Sequence, residues 1–209
     1  MAICYIFSAA EGLPNGFKKT NDDIVIAADA GYLHLKKMGI APDIAVGDFD
    51  SLEYTPENVE VIKHPARKDD TDTMLAVKIG LERGYEKFVL FGCVGGRLDH
   101  TLANIQTLNF IAEKGAQGFV CGDDFTITSL KNSKIRFSEK ASGNISVFSA
   151  NEKASGVSVS GLLYNLENAE LTSSFPLGVS NEFVGEKATV SVKNGTLNIV
   201  FSGNIDIVL

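Results

Sequence analysis

The chain has 209 residues, 44% hydrophobic and 22% charged, which suits one large or two small globular domains and argues against global disorder. A net charge of −7, from 19 basic and 26 acidic side chains, argues against a broad nucleic-acid surface. There is no eighteen-residue apolar run to cross a membrane as a helix. The three widely spaced cysteines, with no Cys-x-x-Cys pair, point to neither a disulfide framework nor a zinc site.

The opening Met-Ala-Ile-Cys-Tyr-Ile-Phe-Ser has no basic segment and too short an apolar block for a signal peptide. It reads as a first strand, and a cytoplasmic protein is expected. Strands are predicted over 3–8, 24–28, 44–47, 59–63, 87–92 and 118–121, several without strict alternation, as in sheets covered on both faces. Helices are predicted over 30–38, 70–83 and 101–114, each followed by a glycine (Gly39, Gly84, Gly115). Met74, Val77 and Leu81 form the apolar stripe of the second helix, and Leu102, Ile105, Leu108 and Ala112 that of the third. The repetition predicts an α/β domain with a mostly parallel sheet over residues 1–123.

Beyond Asp124 the helical stripes stop. Short alternating runs at 125–130, 134–137, 145–148, 157–159, 188–192, 197–201 and 205–208 predict an antiparallel β-sandwich over residues 124–209. Asn194-Gly195 carries the type I′ hairpin signal between two of them.

Parallel sheets bind ligands at the carboxyl ends of their strands, and the residues that follow these strands are polar. Between Asp29 and Asp72 there are ten acids against five bases, an excess of five negative charges that must be solvated or hold a cation. In Gly47-Asp48-Phe49-Asp50-Ser51, two carboxylates leaving a strand can face one Mg²⁺, although the same residues also suit a turn. Lys68-Asp69-Asp70-Thr71-Asp72 opens a helix. One Asp is explained by capping, and three in four residues exceed that need, with Asp72 favoured as the one aimed at metal. The Gly92–His100 stretch supplies Gly95 and Gly96 for close phosphate approach and Arg97 as a bidentate donor, without being a Walker A loop or a dinucleotide fingerprint. Asp99 suits the N-cap of the helix that follows, and His100 a supporting role. Asp29, in Ala28-Asp29-Ala30-Gly31, opens a helix and has the chemistry to meet a hydroxyl or a cation. Acids, glycines and a cation together are what phosphoryl-type transfer from a nucleotide requires.

In that order, Ala-Asp-Ala-Gly, Pro42-Asp43, Gly-Asp-Phe-Asp-Ser, Lys-Asp-Asp-Thr-Asp and Gly-Gly-Arg-Leu-Asp-His closely resemble the thiamine pyrophosphokinase family. The segment Pro176-Leu-Gly-Val-Ser180-Asn181-Glu-Phe183 extends the resemblance into the second domain. The resemblance implies transfer of pyrophosphate from ATP to thiamine, giving thiamine diphosphate and AMP. It implies Mg²⁺ held by Asp48, Asp50 and Asp72, with Arg97 stabilising charge. ATP and substrate contacts fall to Asp29, Lys68, Asp70, Thr71, Gly95, Gly96, Asp99 and His100, and thiamine contacts to Ser180 and Asn181. It further implies a homodimer whose site is shared between the α/β domain of one copy and the sandwich of the other. Two departures stand out. Ala30 replaces a glycine common in the family, and the chain has no Trp to stack near thiamine, leaving Phe183 or another aromatic for that place. Two other readings of the residues are a haloacid-dehalogenase-like phosphatase with Asp48 as nucleophile, and a binding module without turnover.

Overall fold

Runs of aliphatic and aromatic residues with no polar alternation form strands buried on both faces, and such strands make up the N-terminal sheet. The structure is a computed structural model that describes residues 2–14, 17–47, 59–63 and 70–209. The chain divides into two compact units: Met1–Thr107 with Val120–Asp123, and Leu108–Phe119 with Asp124–Leu209.

In the first unit β1 (Cys4–Phe7), β2 (Ile24–Ala28), β3 (Ile44–Gly47), β4 (Glu60–Lys63) and β5 (Lys87–Phe91) lie in the order β5-β1-β2-β3-β4. All four adjacent pairs are parallel, as predicted. All of β2 and β3 is buried. From β1 the chain steps outward to β4. It then returns through α2 (Asp72–Glu82) and lays β5 on the other side of β1. The sheet therefore switches direction between β1 and β5. Helix α1 (Gly31–Lys37) joins β2 to β3, α3 (Leu98–Glu113) follows β5, and β6 (Gln117–Cys121) follows α3.

The helices differ from the predicted ones in their starts and in their buried faces. Helix α2 begins at Asp72, not at residue 70, because Thr71 is extended (φ −71°, ψ 156°) and its hydroxyl accepts the Met74 N–H at 3.2 Å. Its buried residues are Thr73, Ala76, Val77, Ile79 and Gly80, while Met74 and Leu81 are only half-buried. The reason is close packing. A Cβ on Gly80 would lie 2.6 Å from the Phe88 ring and 2.9 Å from the Cys4 sulfur, so small residues face the sheet. Helix α3 starts at Leu98, so Asp99 lies in its first turn and is not its N-cap. Leu102 is 56% exposed, and Asn104, Thr107, Leu108, Ile111 and Ala112 form the buried face.

The second unit is an antiparallel β domain, as predicted. Strands β7 (Phe125–Lys131), β9 (Asn144–Ser149), β12 (Gly178–Glu182) and β14 (Thr196–Ser202) run in the order β12-β9-β14-β7. Strands β8 (Lys134–Phe137), β10 (Lys153–Ser160), β11 (Leu166–Thr172) and β13 (Ala188–Ser191) form a four-stranded sheet, β11-β10-β13-β8. Both sets contribute to one hydrophobic cluster centred on Phe137, whose ring meets Phe183 at 5.3 Å and Phe201 at 5.1 Å, edge-on.

Three features here differ from the sequence reading. Strands β11 and β12 have no predicted counterpart. Both lie at the margins of their sheets, are largely exposed and lack alternation. Asn194-Gly195 does not close a hairpin, because β13 and β14 belong to different sheets. Gly195 (φ +111°) crosses between the sheets, with its N–H on Asn132 Oδ1 at 2.8 Å and its carbonyl accepting the Asn132 N–H at 3.1 Å. The run 205–208 is a 3-10 turn, Ile205–Ile207, and not a strand, since Asn204 caps it by accepting the Asp206 N–H at 3.0 Å.

Candidate active site

The sheet's reversal between β1 and β5 separates their outgoing chains, and open α/β sheets bind ligands in such a crevice. The chain leaving β1 runs as Ser8-Ala9-Ala10. It is held to the β5 exit by Ser8 N–H to Phe91 O and Ala10 N–H to Gly92 O, both 2.9 Å. Gly92 is obligatory here: its φ is +66°, and a Cβ would lie 2.3 Å from the Ser8 carbonyl oxygen. Beyond this point lies a cleft of about 180 Å³. Its walls come from the exits of β1 (Ser8, Ala9, Ala10), β2 (Ala28, Asp29) and β5 (Gly92, Cys93, Gly95), from the start of α2 (Asp70, Thr71, Asp72, Thr73), and from α3 (His100, Ala103, Asn104).

Polar contacts fix this frame. Ser8 and Thr73 share a hydroxyl hydrogen bond at 2.8 Å. Asn104 Nδ2 donates to the Cys93 carbonyl at 2.7 Å. His34 on α1 donates to the Ala9 carbonyl at 3.0 Å. Asp29 is held at φ +50°, an uncommon conformation for a non-glycine residue, with its N–H on Val46 O at 2.8 Å. Ala30 has a helical φ of −63°, which tolerates its methyl group, so the departure from glycine there causes no strain. Burial pushes the Cys93 thiol up to about 12, so this sulfur of the cleft wall stays protonated and is no nucleophile.

Of the residues singled out by sequence, Asp29, Asp70, Thr71, Asp72, Gly95 and His100 converge on this cleft. Their charges are not equivalent. Lys78 Nζ donates to both Asp70 oxygens, at 2.8 and 2.6 Å, whereas Asp72 opens α2. Gly95 and Gly96 have φ of +87° and +62°, and a Cβ on either would meet nothing within 4 Å, so this turn is open to a ligand. Arg97 and Asp99 are not among the lining residues. They pair with each other, 71% and 65% exposed. The Arg97 hydrogen bond holds the Asp99 carboxyl below the usual carboxylate range. Asp48, Asp50 and Lys68 lie outside the described residues. The described chain reaches residue 47 beside Asp29, where a Cβ on Gly47 would lie 3.3 Å from Asp29 Cα.

Ser180 and Asn181 belong to β12 of the second unit. Ser180 is at φ +60° in an irregular register between Gly178 and Asn181, its N–H on Ser146 Oγ at 3.1 Å. The Asn181 amide is committed internally. Its Nδ2 donates to Tyr164 O at 2.6 Å, and its Oδ1 accepts the Tyr164 and Glu182 N–H groups, both at 2.9 Å. Phe183 is buried against Phe137, while Tyr164 and Phe175 are exposed.

Sequence reasoning missed the Ser8–Ala10 strap, Thr73 and Asn104. A signal for the last two was present. Thr73 falls on the stripe of Ala76, Val77 and Gly80, and Asn104 on that of Leu108 and Ile111, as polar residues set into otherwise buried helix faces.

Residues 18–119 match the family model described as thiamin pyrophosphokinase, catalytic domain, and residues 132–197 match the model for its vitamin B1 binding domain. A curated relative, thiamine pyrophosphokinase of Bacillus subtilis (strain 168), is 29% identical over 193 residues, covering 85% of this chain and 86% of its own. The crystal structure of thiamine pyrophosphokinase from Bacillus subtilis superposes with a TM-score of 0.85 at 25% identity, over 98% of this chain and 100% of that one. The yeast thiamin pyrophosphokinase shares the fold at 17% identity, with a TM-score of 0.73 over 97% of this chain and 86% of its own. Two domain models in family order, with a relative aligned along most of both chains, show that this chain belongs to the thiamin pyrophosphokinase family.

Proposed function

We propose that the cleft between β1 and β5 takes the polyphosphate end of ATP, and that the chain transfers the β,γ-pyrophosphoryl group to the hydroxyethyl oxygen of thiamine, releasing AMP. The observation that carries this reading is the gathering of Asp29, Asp70–Asp72, Gly95 and His100, from three separate stretches of the chain, on one cleft at the switch point. Bond-making at phosphorus needs positioning and charge stabilisation more than covalent help from the protein. The open Gly95-Gly96 turn admits phosphate oxygens to backbone N–H groups, and Arg97, next in the chain, supplies a guanidinium to the developing charge. The thiazolium ring of thiamine is cationic, and the acidic excess between Asp29 and Asp72 attracts it.

The donor chemistry fits Mg²⁺. Among the described residues the cleft wall carries the carboxylates of Asp29, Asp70 and Asp72, which are hard oxygen donors, and the Cys93 thiol there is protonated. Among the described residues no group of three metal-type side chains is assembled. The set we assign is Asp72 together with Asp48 and Asp50, with Asp70 left to its Lys78 pair. When bound, Mg²⁺ would offset the negative charge of the polyphosphate and act as a Lewis acid toward it. Lys68 is assigned to the polyphosphate. Residues 124–209 are assigned to thiamine binding and dimerisation, with Ser180 as a contact and the site shared between two copies. Family membership weighs against both a phosphatase acting through Asp48 and a module without turnover.

Incubation with ATP, thiamine and Mg²⁺, read by mass spectrometry, tests this. AMP and thiamine diphosphate should form together, and only when thiamine is present. Phosphate release independent of thiamine would contradict the reading. Asp72→Asn should lower turnover by about two orders of magnitude or more with the fold intact, since a group that acts on transition-state charge is lost. Near-normal turnover would remove Asp72 from the metal set.

A further inference from the structure

The Arg97–Asp99 pair is built in a way that the chemistry at the cleft explains. Arg97 Nε donates to Asp99 Oδ1 at 3.1 Å and Arg97 Nη2 to Asp99 Oδ2 at 2.6 Å, a side-on fork. A guanidinium has a second fork, at Nη1 and Nη2, and no partner holds Nη1 among the described residues. Asp99 is itself anchored. It lies within the first turn of α3, and its Oδ1 also accepts the His100 N–H at 3.0 Å. The chain on either side of the pair, Gly95 and His100, lines the cleft, but Asp99 does not. A carboxylate aimed at polyphosphate would repel it, whereas one bound to Arg97 has its charge balanced. We propose that Asp99 is a positioning residue, holding the side-on edge of Arg97 so that the Nη1–Nη2 edge is presented to the nucleotide's phosphates. The proposal rests on the reading of this cleft as the polyphosphate site. It replaces a direct nucleotide contact for Asp99 with an action through Arg97.

A double-mutant cycle tests it on two readouts: calorimetric affinity for a non-hydrolysable ATP analogue with Mg²⁺, and KM for ATP and for thiamine. Asp99→Ala should weaken nucleotide binding roughly 10-fold, short of the ~10²-fold that misplacing a reacting group can cost. Asp99→Asn, which keeps one accepting oxygen and guards against a fault at the start of α3, should give a smaller loss. In an Arg97→Ala background, Asp99→Ala should change affinity less than about twofold, because the group it acts through is gone. KM for thiamine should stay unchanged throughout. The same loss from Asp99→Ala in both backgrounds, or no loss in either, would overturn the proposal. Wild-type protein that binds the analogue but makes no thiamine diphosphate refutes the proposed reaction and leaves the cycle valid. Failure to bind the analogue at all refutes both.

Discussion

Gly31 offers a sharp physical test, because a single methyl group there has nowhere to go. It opens α1 directly after the β2 exit. A Cβ on it would lie 1.9 Å from the Phe7 carbonyl oxygen, 2.5 Å from that carbonyl carbon and 3.0 Å from the Ser8 nitrogen. These are backbone atoms, and the Ser8 N–H is tied to Phe91 O and its hydroxyl to Thr73. No flexible side chain can yield, so α1 and the end of β1 must separate by about 1 Å. Overpacking costs about 1–3 kcal/mol, and a clash of backbone on both sides belongs at the top of that range, about 3 kcal/mol. In a chain of this length each kcal/mol moves Tm by about 2–4 °C, so Gly31→Ala should melt roughly 6–12 °C lower by circular dichroism. Turnover should fall as well, since Asp29 and Ala9, on either side of the clash, line the cleft. Two controls isolate the cause. Ala30→Gly should stay within about 1 kcal/mol, because residue 30 already has helical dihedrals. Gly39→Ala, at φ +70° with nothing within 4 Å, should cost only the left-handed strain of about 1–2 kcal/mol. A Gly31→Ala protein melting within about 2 °C of wild type would refute the close-approach argument.

Thr71→Ala removes the cap of α2 and should cost about 1 kcal/mol, measured by urea unfolding. Asn181→Ala frees the Tyr164 segment. KM for thiamine should rise several-fold while KM for ATP holds, and a rise in both would argue for general unfolding. Burial pushes the Cys4 and Cys93 thiols from 9.0 up to about 12, so their contribution to stability is complete below pH 9.0 and is lost as pH rises toward about 12. Wild-type stability should therefore fall relative to Cys93→Ala above pH 9, and a constant difference between the two proteins would contradict this. Mixing an Asp50→Asn protein with a Ser180→Ala protein should restore part of the activity if the site spans two copies, and no restoration places it within one.

The sequence alone determined the strand–helix repeat, the change to an all-β second half, and most of the acidic and glycine-rich set around the cleft. These are local matters: apolar runs seek burial, glycines end helices, and polar residues at strand exits have few structural uses. Only the tertiary structure decided the rest. Strand order placed the cleft at the β1/β5 reversal and brought in Ser8, Thr73 and Asn104, which no local pattern marks as neighbours. Close packing set Gly80 against Phe88 and Cys4, and left Met74 and Leu81 of the expected α2 stripe only half-buried. Partner choice separated chemically identical carboxylates: Asp70 is held by Lys78, Asp99 is bound to Arg97, and Asp72 lies at the helix start that faces the cleft. The same distinction turned Asn194-Gly195 from a hairpin into a crossing between sheets, because a turn signal specifies a bend and not which strand lies beyond it.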